Sequence, residues 1–125
     1  MQTHTQAQDV VERYYAAFDA HANDWQDLVS DDVIFDGPVQ HARGKTEFVG
    51  MTAQFLSAHR ATRLLRRIVD GDTVTSLFEF VVDAPNGQQL TCAVSEWATV
   101  RDGRIREFRV YYDPREFVQA FGMAD

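Results

Sequence analysis

The chain has 125 residues, of which 12 are basic and 19 acidic, so its formal net charge is −7. This length supports one core but not two, which predicts a single domain over residues 1–125, and the acidic charge disfavours nucleic acid or an anionic membrane as a partner. Cys92 is the only cysteine, no apolar run approaches a membrane span, and the first residues lack the features of a signal peptide, so we expect a cytoplasmic protein.

The first half of the chain alternates helical and strand-like patterns. Apolar residues recur every three or four positions and predict a helix over residues 5–21. Asn23 and Asp24 can cap a short second helix that carries Trp25 and Leu28. A β-branched and aromatic run at residues 33–35 ends before a Gly-Pro pair, and a third helix is predicted over residues 45–59.

The second half changes to the period of β-strands. Four strands separated by turn signals are predicted over residues 64–69, 74–82, 89–100 and 104–112. A closing helix is predicted over residues 114–121, with Asp113 as its N-cap, Glu116 completing a capping box, and Gly122 at its end. Helices followed by an antiparallel meander indicate an α+β fold, with the sheet rolled around the first and third helices.

Two parts of the sequence resemble a known family. Residues 102–114, DGRIREFRVYYDP, look like the last hairpin of SnoaL-like proteins, and the opening fits through residues 10–14, residues 31–33 and Gly44. These proteins belong to the nuclear-transport-factor-2-like superfamily, with ketosteroid isomerase and limonene epoxide hydrolase as relatives. The resemblance implies a cone-shaped α+β fold, a curved antiparallel sheet wrapped around helices, and a pocket between the two.

The resemblance also implies positions for catalytic residues. Tyr14 matches the tyrosine with which ketosteroid isomerase binds a substrate oxygen, although a core tyrosine explains it equally well. The isomerase base directly precedes a proline, but here Gly37 precedes Pro38. Asp36 lies one residue early and should face the other way, unless a bulge re-aims it. Its alternative role is to cap the turn.

Glu96 is the candidate for the isomerase's second acid and is preferred to Ser95. It shares its strand face with apolar neighbours, namely Cys92, Val94, Ala98 and Val100. A carboxyl group on such a face must be neutral, paired or solvated. Two interpretations stay open: an acid with a raised pKa that donates to an oxyanion, or a salt bridge to Arg106 or Arg109.

The remaining candidates are assigned to a mainly apolar pocket. We predict that it is lined by Tyr14, Phe18, Phe35, Phe55, Glu96, Phe108, Val110 and Tyr112. His41 and His59 are further ligand-binding candidates, although a histidine near a helix end commonly caps carbonyls instead. No histidine pair has ligand spacing and no glycine-rich phosphate loop is present, so neither a metal nor a cofactor is expected. The epoxide hydrolase mechanism needs an Asp at the position of Val110, which disfavours it.

These residues predict acid–base chemistry on a small, largely apolar, carbonyl-bearing molecule, by cyclisation, isomerisation or dehydration. Tyr14 and Glu96 would polarise the oxygen, and Asp36, or less readily His41 or His59, would move the proton. The alternative is a non-catalytic binding or dimerisation module that uses the same pocket. Trp97 should face outward, so we expect a homodimer through the sheet face that carries it.

Overall fold

The computed structural model describes residues 6–122 and shows an α+β fold. The helices are α1 (Gln6–Asp19), a 3-10 helix (Asn23–Leu28), α2 (Lys45–Ala58) and α3 (Arg115–Phe121). The strands are β1 (Val29–Asp36), β2 (His41–Arg43), β3 (His59–Asp70), β4 (Thr73–Asp83), β5 (Gln89–Arg101) and β6 (Arg104–Tyr111). None of the described helices is long and apolar enough to cross a membrane.

The strands form one curved, unclosed sheet in the order β2-β1-β6-β5-β4-β3. Strands β3 to β6 are an antiparallel meander, and β1 joins them by parallel pairing with β6. In β4 every second residue is buried, which is the alternation of a strand with one covered face. The sheet therefore has an inner face toward the helices and an outer face that no helix of residues 6–122 covers.

The helices cover the inner face and leave the core between two layers. Helix α1 contacts strands β3 to β6, whereas α2 contacts β1 to β3. The apolar stripe predicted for α1 is the face that it buries. The largest fully buried side chains are aromatic, namely Trp25, Phe48, Phe78 and Phe108. Burial of these rings provides the main driving force for the arrangement.

Several predicted boundaries are wrong. Strand β3 begins at His59, five residues before the predicted start, because its first part gains order by pairing with the end of β4 and not from an apolar pattern of its own. Strand β1 likewise extends beyond the predicted residues 33–35 at both ends. The first helix was predicted to end at residue 21 but ends at Asp19. Its predicted start at residue 5 lies outside the described residues.

The start of α3 also differs from the prediction. Pro114 occupies the N-cap position and makes no capping hydrogen bond with its own side chain. The Asp113 carboxylate accepts the backbone N–H of Arg115 at 3.1 Å and binds the guanidinium of the same residue at 2.6 Å. The Asp113 carboxylate therefore still binds the first backbone N–H of the helix, but from the position before the N-cap. Gly122 ends α3 in the left-handed conformation, as predicted.

Candidate functional site

A cavity lies between the inner face of the sheet and the three α-helices. It encloses about 690 Å³ of empty space, its open mouth included, and its wall is mostly aromatic and aliphatic. The predicted lining residues all lie in this wall: Tyr14, Phe18, Phe35, Phe55, Glu96, Phe108, Val110 and Tyr112. A wall of this character suits a small, mainly apolar molecule.

Glu96 is the carboxyl group of the cavity wall. Its residue is 8% exposed, and its Oε1 atom is enclosed without a hydrogen-bond partner among the described residues. The arginines considered as salt-bridge partners are paired elsewhere: Arg106 with Asp32 at 3.4 Å and Arg109 with Glu107 at 3.4 Å. Burial raises the pKa of Glu96 from 4.5 to about 8. The carboxyl group is therefore mostly protonated at neutral pH and can donate a hydrogen bond.

Tyr14 comes to the same cavity from α1. Its ring is buried against Tyr15 at a centroid distance of 5.2 Å and against Phe108 at 5.4 Å. Burial raises the pKa of Tyr14 well above its ordinary value, and the negative charge of Glu96 raises it further. The hydroxyl group is thus a neutral donor near the protonated carboxyl group of Glu96.

The structure places Asp36 outside the cavity wall. Strand alternation turns Phe35 toward the cavity and Asp36 the other way, and the pairing of β1 with β2 continues through Asp36 without a bulge. The Oδ1 atom of Asp36 accepts hydrogen bonds from Arg43 at 3.0 Å and from His41 at 3.1 Å. These bonds lower the pKa of Asp36. Asp36 thus faces the way that strand alternation predicted, and the bulge that its catalytic role required is absent from its pairing with β2. His41, predicted to bind the ligand, is not brought to the pocket either.

His59 lies behind the cavity wall and does not line it. It is 4% exposed and packs against the rings of Phe18, Phe55 and Phe80. Its Nδ1 atom lies 3.0 Å from Nε2 of His21, and its Nε2 lies 2.8 Å from the hydroxyl of Thr62. Burial lowers the pKa of His59. The histidine therefore connects α1 to the start of β3.

The wall contains further residues that the sequence prediction missed. Tyr15 is buried beside Tyr14, and its hydroxyl has no hydrogen-bond partner in the described chain. Cys92 and Val94 also line the cavity. Strand alternation placed this pair on the strand face of Glu96, but neither residue was included in the predicted lining, whereas the spacing of Tyr15 from Val11 and Phe18 could have placed the tyrosine on the core side of α1. No cluster of three or more potential metal ligands occurs within residues 6–122.

Comparison with known proteins identifies the relatives of this fold. The model of the SnoaL-like domain family matches residues 11–108. No curated protein matches the chain. A structure from Kribbella flavida DSM 17836 is 23% identical, covers 94% of both chains and superposes with a TM-score of 0.82.

Two further solved structures carry informative names. A putative SnoaL-like polyketide cyclase from Jannaschia sp. CCS1 is 17% identical over 100% of both chains, with a TM-score of 0.80. TerC, co-crystallized with polyporic acid, is 18% identical over 94% of this chain and 99% of its own, with a TM-score of 0.79. At these identities the similarity shows the fold alone.

Proposed function

The chain belongs to the SnoaL-like domain family, and on this basis we propose that it performs acid–base chemistry on a small, largely apolar molecule that carries a carbonyl oxygen. The observation that carries the proposal is the protonated, unpartnered carboxyl group of Glu96 in a mainly apolar cavity. Cyclisation, isomerisation and dehydration all require such a group to exchange a proton with a substrate oxygen or carbon.

The ligand oxygen would bind between Tyr14 and Glu96. Both groups are neutral donors at pH 7, because burial raises the pKa of each. As negative charge develops on the oxygen in the transition state, hydrogen bonds from donors fixed in an apolar wall become stronger. This differential stabilisation would lower the barrier without tight binding of the ground state.

Glu96 takes the proton-transfer role that the sequence suggested for Asp36. Among the described residues of the wall it is the only carboxyl group, and its pKa of about 8 lies close to neutral pH. A group with such a pKa exchanges protons efficiently in both directions. The names of the neighbouring structures, a putative polyketide cyclase and a protein crystallised with polyporic acid, support an organic ligand in this cavity.

The proposal predicts that the protein accelerates α-proton exchange of an apolar ketone: the ionised fraction of Glu96 takes the α-proton while Tyr14 donates a hydrogen bond to the oxygen, and Glu96 then returns a solvent-derived deuteron to the same carbon. We suggest 1-tetralone in D₂O, followed by proton NMR at pH 7 to 8. Glu96→Gln keeps a hydrogen-bond donor but loses the exchangeable acid, so its exchange rate should be lower than that of the wild type by roughly 10²-fold or more. The exchange rate of Tyr14→Phe should be lower by about 10-fold or more. Asp36→Asn is the matched control and should exchange at the wild-type rate. Equal losses in the Asp36 and Glu96 variants would contradict the assignment.

A second function, binding without conversion, is favoured by one specific observation. The described wall contains a single carboxyl group, so an acid and a separate carboxylate base are not both present. In this case 1-tetralone would shift the amide resonances of cavity residues, while its α-proton exchange would stay at the rate of buffer alone.

A further inference from the structure

One register position on the inner face of the sheet carries polar side chains among apolar ones. Arg67 of β3 is opposite Ser76 of β4, and Ser76 is opposite Glu96 of β5. The other inward residues of β4 are all apolar, namely Val74, Phe78, Phe80 and Val82. Ser76 is 1% exposed. A buried hydroxyl group therefore lies directly beside the carboxyl residue proposed to exchange protons.

Arg67 holds the Ser76 hydroxyl from the far side. Its Nε donates a hydrogen bond to Oγ of Ser76 at 3.0 Å, and its guanidinium lies 5.4 Å from the centre of the Tyr15 ring. Within residues 6–122, this is the one hydrogen bond of the Ser76 side chain. A serine oxygen that accepts a hydrogen bond still has its own proton to donate. The Ser76 proton is thus available to a second acceptor.

Such a proton would supply the partner that the Oε1 atom of Glu96 lacks, since this atom is enclosed and makes no hydrogen bond in the described chain. Residues directly opposite each other in an antiparallel pair have Cβ atoms about 4.5–5.5 Å apart. This separation brings the flexible glutamate side chain within reach of the serine hydroxyl. The available proton of Ser76 and the unpartnered Oε1 of Glu96 define a hydrogen bond that can form when Glu96 ionises.

We propose that Ser76, anchored by Arg67, is a positioning residue that stabilises the ionised form of Glu96. The inference rests on the proposed function of Glu96. When the carboxyl O–H bond breaks and the proton bonds to the ligand oxygen, the Ser76 hydroxyl turns its proton toward Oε1 of the new carboxylate. Ser76 keeps its proton throughout, and the step reverses when the ligand returns its own.

The other ionisable groups around Glu96 are neutral or engaged near pH 7. Burial raises the pKa of Tyr14 from α1, of Cys92 from β5 and of Tyr112 beyond β6, so these three are uncharged. Helix α2 contributes no titratable side chain to the described wall. The negative charge of Glu116 on α3 helps to raise the pKa of Cys92. The charge of Arg67 interacts with two carboxylates of α1, Glu12 and Asp19.

The test is a carbon-13 NMR titration of the Glu96 carboxyl group in the full chain. Ser76→Ala should raise the apparent pKa by about half a unit or more, because the carboxylate loses its donor, whereas Ser76→Thr should keep the wild-type value. Thr75→Ala is the matched control, since Thr75 lies one residue away and opposite Trp97 on the outer face. A titration of Ser76→Ala at the wild-type pKa would overturn the proposal.

A second pair of variants keeps the test decisive if Ser76→Ala unfolds. Arg67→Gln should shift the Glu96 titration upward, and Arg66→Gln, which lies opposite Leu77, should not. Failure of the two proposals looks different. If the Glu96 titration shifts in the Ser76→Ala variant but the wild type does not accelerate ketone exchange, only the catalytic role of Glu96 is contradicted. If the wild type accelerates exchange through Glu96 but the titration does not shift in Ser76→Ala, only the role of Ser76 is contradicted.

Discussion

Glu96 combines two properties that are rarely found together, a carboxyl group and a site that offers its Oε1 no partner. An ionised carboxylate there would lose its hydration without compensation, so the group holds its proton instead. The resulting pKa of about 8 links the stability of the fold to pH. The same burial that destabilises the folded state at alkaline pH supplies the neutral donor required by the proposed chemistry.

The stability of a Glu96→Gln variant should therefore depend on pH in a defined direction. The pKa of Glu96 is raised on folding, so its contribution to stability is complete below pH 4.5 and is lost as pH rises through about 8. The free energy of unfolding of the variant should exceed that of the wild type by about 3–4 kcal/mol at pH 7 to 8, and the difference should shrink toward pH 5. Urea denaturation of both proteins at three pH values measures this difference in the free energy of unfolding.

A matched control for that prediction is Glu79→Gln. Glu79 lies on the outer face and forms a 3.5 Å ion pair with the exposed Arg63, so its replacement should change stability by less than about 1 kcal/mol. A Glu96→Gln variant that is less stable than the wild type at pH 8 would mean that the carboxylate is stabilised by a cation, contrary to the environment described above.

At the scale of elements, the end of α1 is fixed to the start of β3 by a histidine pair. Ala22 N–H bonds to the carbonyl of Ala17 and His21 N–H to that of Phe18, which is the pattern of a Schellman motif. His21 occupies the left-handed position, with φ of 55°, where glycine is usual. Its 3.0 Å bond to the buried His59 accounts for a residue that adopts this strained conformation.

Substitutions at His21 should separate the strain from the hydrogen bond. His21→Ala loses the bond to His59 and keeps the unfavourable φ, so we expect a destabilisation of about 1–3 kcal/mol. His21→Gly loses the same bond but adopts φ of 55° freely, so its destabilisation should be smaller by about 1 kcal/mol. Thermal or urea unfolding of both variants measures the difference. Equal stabilities would show that the conformation carries no strain.

The alternation of side chains between the two faces of a strand explains what could be predicted about the site. One-residue alternation was enough to place Glu96 beside Val94 in the wall and to turn Asp36 away from it. The contribution of Ser76 could not be predicted, because it depends on the long-range register of β4 against its neighbours, and β3 pairs through two irregularities. Local sequence reports the face of a residue, whereas the partner across the sheet is set by tertiary pairing.

At the scale of the whole molecule, none of the described helices covers the outer face of the sheet, and this face exposes large apolar side chains. Trp97 is 46% exposed and lies between Arg109 and Thr75 in the register, and Ile68 follows opposite Thr75. Tyr111, also exposed, is paired with Ser95 in the next row. Clustered exposed rings of this kind usually mark an interaction surface.

We predict that a second copy of the chain covers this face. Sedimentation at micromolar concentration should then give about twice the 14.3 kDa chain mass, and Trp97→Glu should shift the protein toward the monomer, because a charge buried at an interface without a partner is unfavourable. Leu64→Glu is the matched control. Leu64 is 48% exposed, but it lies opposite Phe78 and therefore belongs to the inner face of the sheet. The Leu64→Glu variant should therefore stay dimeric. A wild-type monomer at high concentration, or equal dissociation of both variants, would exclude the Trp97 face as the interface.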